Sequence, residues 1–541
     1  MVPLTGKLEG RVVDSSGDPV AGAKVTSLTG WPDAQATTDE FGKFVLTSVP
    51  EGELTVMAAI DFDAGQARAR TGGEPVEVVL KPATRADVDL GLAVLKEAWT
   101  NSKGGKYGRR DYIPLEVAPH DPDLALEFAR RSDGTVPDFV LSGTVATVAA
   151  LDPIRAAKWA PDKLDQIKDP HLQSWAVLTL ALRVLDTNPD LATQLYDRAK
   201  TIIRTSGSTR HIVTENGNLA ALAAKLNNGE AESIANKTLS TKITEGYWAG
   251  KTVAEVPESP AFLAGLIAQG SPELAEKVAS GLPVRDQASA IVRTTQRVAQ
   301  HDVDAARRLL SKLEDIPDQS RAESCYGRAA PSVIQAIGPG DPEAALAIAR
   351  KVRDVRYRPG ALEIAASFQS KDVALDALRE ASAAGRAEYY GAVAPMARAA
   401  AKAYELDQTV GMQLFAAARE KMNKEREKRR AIPAFASAYR VVDPAESRFM
   451  LEAEFARLGE QEQQWGYEAL ALAMAPLDIE RALEMARSMP NNESGSRFNA
   501  LRKIGQYALA LGSSRKWRTF DYGYGRRPDM PACLGVRTWI E

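Results

Sequence analysis

The chain has 541 residues, 45% of them hydrophobic and 26% charged, with a formal net charge of −3. That length supplies ample core, and so even a charge balance is not basic enough to suggest a nucleic-acid partner. Two widely separated cysteines, Cys325 and Cys533, argue against a disulfide framework, and no apolar run reaches the length of a membrane span.

The first 84 residues show a hydrophobic period of two. Leu54, Val56, Ala58 and Ile60 alternate with Glu53, Thr55, Met57 and Ala59, and Val76, Val78 and Leu80 alternate with Pro75, Glu77 and Val79. Turn chemistry separates such runs at Ser15–Pro19, Asp39–Gly42 and Val49–Gly52. About seven short strands in this span predict a small β-sandwich over residues 1–84.

The same span carries an ordered motif. It runs Gly10-x-Val12-x-Asp14-x2-Gly17-x-Pro19-x2-Gly22-Ala23-x-Val25, then Thr38-Asp39-x2-Gly42-x-Phe44-x-Leu46, then Val49-Pro50-x-Gly52-x-Leu54-x-Val56, and closes on Val76–Pro82. Residues 6–82 therefore resemble the carboxypeptidase regulatory-like domain, a transthyretin-like (prealbumin-like) sandwich. The resemblance implies a non-catalytic module of the kind appended to peptidases, receptors and surface proteins, and no catalytic residue transfers with it. It also implies an exported or cell-envelope setting in bacteria. Met1–Gly6 lacks the basic and apolar regions of a signal peptide and reads like a lead-in from a preceding segment, so an extracytoplasmic location is expected only if the true start lies upstream.

Residues 85–118 are expected to be a helix, Asp87–Trp99, followed by an exposed Gly/Lys/Arg-rich turn over Asn101–Arg110. From 119 to 512 the period becomes helical. A capping residue recurs at Asp121, Asp152, Asn188, Asn228, Ser271, Asp302, Asp341, Asp372, Asp407, Asp443 and Asp478, on average about 36 residues apart, the length of one helix–turn–helix pair. Proline follows at 122, 153, 189, 272, 342 and 444, where its fixed φ suits the first helical position.

Four residues after the cap stands a small side chain in nine repeats (Ala125, Ala156, Ala192, Ala275, Ala306, Ala345, Gly411, Ser447, Ala482), Glu232 and Asp376 being the exceptions. Seven after it the residue is apolar in all but the repeat with Arg379, and moving that repeat by one residue brings Leu375 and Leu378 into place. These positions share one helix face and predict a buried seam. A second amphipathic stretch follows each capped helix, as at 172–185, 289–298, 361–368, 431–439 and 498–511. The expected class is a multidomain, mainly α protein: the β-sandwich followed by an α-α superhelix, or solenoid, of TPR-like or HEAT-like kind. The tail 513–541 shows neither period and reads as irregular or disordered.

The chemistry of sites is thin. The histidines are His120, His171, His211 and His301, none at i, i+4 from another, and HExxH is absent, so no zinc site is expected. Neither a Gly-x-Ser-x-Gly elbow nor a phosphate-binding Gly-x4-Gly-Lys loop occurs. Asp61-x-Asp63 begins like a calcium loop but lacks the later ligands, and Cys325, with no histidine nearby, reads as a buried thiol. Two basic clusters, Arg350–Arg358 in an interhelical loop and Lys421–Arg430, read as solvated faces, with anion binding as the alternative. Tyr389-Tyr390 and Trp465-x-Tyr467 read as core between repeats rather than groove.

The sequence therefore names no catalytic, cofactor-binding or metal residue. It points to a scaffold that binds a protein or peptide partner, with neither nucleic acid nor a membrane span. The alternative reading is the non-catalytic C-terminal portion of a larger membrane-anchored peptidase or sensor.

Overall fold

A computed structural model describes residues 6–27, 35–49, 53–60, 63–80, 85–101, 113–118, 121–131, 134–206, 212–240, 260–299, 302–385, 393–424, 428–460, 467–489 and 496–512. The tail after 512, most of the turn at 101–110, Asp61, Cys533, Tyr389-Tyr390, Trp465 and the histidines at 120, 211 and 301 lie outside them.

Among the described residues seven strands form the N-terminal domain: β1 Gly6–Val13, β2 Lys24–Ser27, β3 Gln35–Thr37, β4 Lys43–Val49, β5 Glu53–Ile60, β6 Asp63–Arg70 and β7 Val76–Val79. They make two sheets, β4-β1-β7 and β3-β2-β5-β6, antiparallel except for the β1–β7 pair. The alternating residues enclose one core of Leu8, Val12, Val25, Phe44, Leu46, Val56, Ala58 and Val78 with their neighbours.

Motif polar residues and glycines serve this geometry. Asp14 Oδ1 accepts from the Ser16 and Asp18 amides (2.8 and 3.0 Å), and Asp39 Oδ1 accepts from Phe41 and Lys43 (2.9 and 2.8 Å). Buried Thr38 Oγ1 accepts from the Ala23 amide and donates to the Val20 carbonyl. Gly42 sits at φ 71°, and a Cβ there would lie 2.5 Å from the Val12 carbonyl oxygen.

Twenty-five helices follow among the described residues. In chain order the first are α1 Arg85–Asn101, α2 Ile113–Val117, α3 Pro122–Ala129, α4 Asp138–Leu151, α5 Pro153–Trp159, α6 Pro161–Leu164, α7 Pro170–Val184, α8 Pro189–Ser206 and α9 Ile212–Lys225. Next come α10 Ala231–Ser240, α11 Pro260–Ile267, α12 Pro272–Ser280, α13 Val284–Val298, α14 Val303–Lys312, α15 Gln319–Ile337, α16 Pro342–Lys351, α17 Arg358–Ala366 and α18 Lys371–Gly385. The last are α19 Val393–Leu406, α20 Gln408–Lys424, α21 Lys428–Tyr439, α22 Pro444–Glu460, α23 Tyr467–Met474, α24 Ile479–Ser488 and α25 Ser496–Gly512.

Nine of the eleven caps accept the amide three residues on: Asp121, Asp152, Asn188, Ser271, Asp302, Asp341, Asp407, Asp443 and Asp478. Two repeats start elsewhere. Asn228 takes the Glu230 amide in a turn where Asn227 has φ 51°, so α10 begins at Ala231. Asp372 is not a cap, because α18 begins at Lys371; Leu375 and Leu378, which the shift by one residue brings into place, are buried there, together with Ala374 and Ala377. All nine predicted small residues are buried.

The chain divides into two compact units, one drawn from 1–110 and 334–525 and the other from 111–333. In the second, α4, α7, α9, α11 and α13 pack in that order into one row, with the capped helices beside them. In the first, α17, α19, α21, α23 and α25 do the same. There α1 is more than a connector: it packs along α25, near-contiguous in space though far apart in sequence. Gly91 and Gly505 make that crossing close, since a Cβ on Gly505 would stand 3.2 Å from the Gly91 carbonyl oxygen. Arg487 of α24 adds an ion pair to Glu97 at 2.7 Å.

Candidate functional site

The faces of the helical units differ in how they handle charge. Capped helices are tied to one another by polar contacts about one repeat apart. Trp159 Nε1 donates to Asp123 Oδ1 (3.0 Å), and Lys277 pairs with Glu232 (2.5 Å). Arg350 pairs with Glu380 (2.5 Å), Arg419 with Glu446 (2.9 Å) and Arg448 with Asp478 (3.0 Å). Arg481 grips Glu452 through two nitrogens (2.8 and 2.7 Å), which holds that carboxyl below the usual carboxylate range. Such exposed and half-exposed pairs are weak individually because solvent screens them, and they join each capped helix to the next.

The basic cluster at 350–358 dissolves into this pattern. Arg350 is held by Glu380, Arg356 by Asp354 (2.5 Å), and Arg358 donates to the Val352 carbonyl (3.4 Å) across the α16–α17 loop. In the second cluster, Lys421 and Lys424 lie on α20, where Lys424 pairs with Glu420, and Lys428–Arg430 open α21, while 425–427 fall outside the described residues.

The buried polar groups sit between row helices. At the α7–α9 contact, Glu215 is 2% exposed; its Oε1 accepts from Ser174 Oγ at 3.0 Å and lies 3.2 Å from His171 Nδ1. Asp169 caps α7 just ahead of His171. Serine, histidine and carboxylate thus meet, but both side chains are directed at the carboxylate. The serine hydroxyl is fully buried and also within 2.9 Å of the His171 carbonyl. A nucleophile relay needs the serine on the imidazole and open to substrate; this cluster is an inter-helix tie. Glu363 of α17 does the same for α19, accepting from Arg398 (3.0 Å) with Lys402 at 3.5 Å. Cys325 is buried in α15, and burial pushes its thiol pKa up. Among the described residues no cluster of three or more His, Cys, Asp or Glu side chains is arranged for a metal ion.

Three aromatic rings gather at α20–α21. Phe415 meets Phe435 and Tyr439 edge-on, at 5.9 and 5.1 Å between centroids, and Arg419 lies over the Tyr439 and Phe435 rings at 4.8 and 5.3 Å. The cage is filled by its own cation. A shallow depression of about 550 Å³ on α19–α20 is lined by Tyr404, Gln408, Thr409, Met412, Gln413 and Ala416.

One cationic group escaped the sequence reading because its members are far apart in the chain. Arg183 ends α7, and Arg293 and Arg297 lie on α13. Arg183 and Arg297 keep contact with solvent. Yet the protein around them depresses the pKa of both guanidiniums, and the charges of Arg183 and Arg293 depress Arg297 further. Arg293 lies over the Phe262 ring of α11 at 5.3 Å.

Among curated proteins no sequence matches this chain. Residues 7–91 match the family model of the carboxypeptidase regulatory-like domain, which takes in the sandwich and the first turns of α1, and the rest of the chain is largely helical.

Proposed function

We propose that the chain is a non-catalytic scaffold in which a β-sandwich module is joined to a TPR-like or HEAT-like helical array that holds a protein partner. The observation that carries this reading is the use of the polar residues. The domain's Asp14, Thr38 and Asp39 are committed to turns and sheet edges, and the buried Glu215 and Glu363 are committed to ties between row helices. What the helices leave over is extended surface, built from repeating units each of which contacts its neighbours. Such surfaces bind polypeptides by area and charge pattern rather than by a single reactive group.

The test is capture with the full chain as bait in extract of its own cells, followed by lysine cross-linking and mass spectrometry. The expected result is one reproducible polypeptide cross-linked to lysines of the helical region. A monodisperse chain that recovers no reproducible partner overturns the proposal, as does turnover of a generic peptidase or esterase substrate by the pure chain.

A further inference from the structure

Capped helices commonly turn charge to solvent: α24 exposes Glu480, Glu484 and Arg487, and α18 exposes Asp372, Asp376 and Arg379. Two neighbours differ. On α22 the exposed positions 445, 449, 453 and 456 share one helix face and read Ala, Phe, Ala and Ala, with Phe449 72% exposed. On α20 the exposed face from 408 to 416 holds Gln408, Thr409, Met412, Gln413 and Ala416, with Met412 43% exposed and no charge among them. Both helices pack on α21 and are joined by the Arg419–Glu446 pair, so their solvent sides make one strip.

A lone apolar side chain at a surface is ordinary. This strip, however, carries a projection and a recess. Phe449 stands out from a face otherwise levelled by alanine, and the depression of about 550 Å³ beside it is lined by Tyr404, Met412, Gln413 and Ala416 among others. An uncharged recess of that size admits an aromatic ring and shields it from water. Grooves that receive a foreign peptide supply the recess and leave the projection to the ligand. Here one chain supplies both on one face. A two-fold axis between α20 and α22 brings each copy's Phe449 to the other's recess, the reciprocity of an isologous contact.

Charge and area are both compatible with a second copy. The ionised residues of α22 beside the strip are answered within the chain, Glu446 by Arg419, Arg448 by Asp478 and Glu452 by Arg481, so the two copies do not oppose unpaired like charges. Each helix has 17 residues, hence a length of about 25 Å, and neighbours stand about 10 Å apart. The strip therefore offers roughly 500 Å² per copy and roughly 1,000 Å² in a dimer, the lower bound for a specific interface.

We propose that the α20–α22 face is a self-association surface, at which two copies of the chain pair with each Phe449 seated in the other's Tyr404–Ala416 depression. The pairing is weak and reversible, and it is independent of the polypeptide that the scaffold holds.

The experiment is sedimentation velocity of the full chain from about 2 to 200 μM, a range that brackets a dissociation constant on the order of 10 μM. The wild type is expected to pass from monomer to dimer. F449A is expected to weaken the dimer about tenfold or more, and A416W, which fills the recess from its own chain, to weaken it comparably. V373S, at an exposed apolar residue of α18, should leave it unchanged. Positions 449 and 416 are exposed, so the variants should melt with the wild type; Q413E, which puts a charge in the recess, replaces A416W if that variant does not. A wild type monomeric throughout, F449A pairing as the wild type does, loss in F449A without loss in the recess variant, or growth beyond the dimer each overturns the proposal. A monomeric wild type whose captured partner is lost in F449A would assign the strip to that other polypeptide. A monomeric wild type with Lys516 cross-linked to Lys421 or Lys424 would assign it to the chain's own 513–541 segment.

Discussion

Replacing Gly91 by alanine isolates the contact that joins the helix after the sandwich to the last helix. In free helix, Gly to Ala stabilises by roughly 1 kcal/mol. At position 91 the new methyl would lie 2.7 Å from Leu509 Cγ and 2.8 Å from the Leu509 backbone nitrogen. A rotamer change relieves the first contact, but only movement of α25 relieves the second, and over-packing of this kind costs about 1–3 kcal/mol. The net expectation is destabilisation of the α1–α25 pair by about 1 kcal/mol, a several-fold rise in local opening. Hydrogen exchange of the full chain, resolved by peptide, reads this directly: amides of α25 in G91A should exchange about fivefold faster. Gly360 is the control, because a Cβ there meets nothing within 4 Å; G360A should slow exchange in α17. If α25 in G91A is as protected as in the wild type, the close crossing is wrong.

Caps give a second contrast. D341A removes the acceptor for the Ala344 amide and should destabilise its repeat by about 1 kcal/mol, whereas D372A, inside the first turn of α18, should cost only about 0.5 kcal/mol or less through the helix dipole; urea melts of the two variants compare them. The Glu452–Arg481 pair predicts acid sensitivity. Because the folded Glu452 pKa lies below its unfolded value, the pair's stabilisation is complete above the ordinary glutamate pKa, about 4.3, and is lost as pH falls through the depressed folded value. R481Q should flatten stability against pH in that window, and an unchanged profile would remove Glu452 as the cause. Cys325, buried and with its thiol pKa raised, should resist iodoacetamide at neutral pH until denaturant is added, as peptide mass spectrometry would show.

Local chemistry was legible in the sequence, and non-local chemistry was not. The strands followed from alternation and from turn residues such as Asp14, Asp39 and Gly42, whose partners lie within a few positions. Caps were equally local, and they failed only where a competing turn at Asn227–Gly229 or an extra helical residue at Lys371 moved the start. The short helices α2 and α6 were missed because one turn carries no period. Packing of α1 on α25 joins residues some 400 positions apart; its one trace in the sequence is a glycine, at 91 and again at 505, in each of two otherwise good helices. Site chemistry shows the same division. The run Arg350–Arg358 drew notice as a cluster, but Glu380, thirty positions on, occupies Arg350.

The central claim is that the helical rows hold a polypeptide. Its most direct measurement is hydrogen exchange of the full chain with and without the partner recovered by capture. Slowed exchange should fall on peptides of the helical region, with the sandwich core of β1, β4 and β5 unchanged. Slowing confined to the sandwich, or none anywhere at saturating partner, would contradict the account.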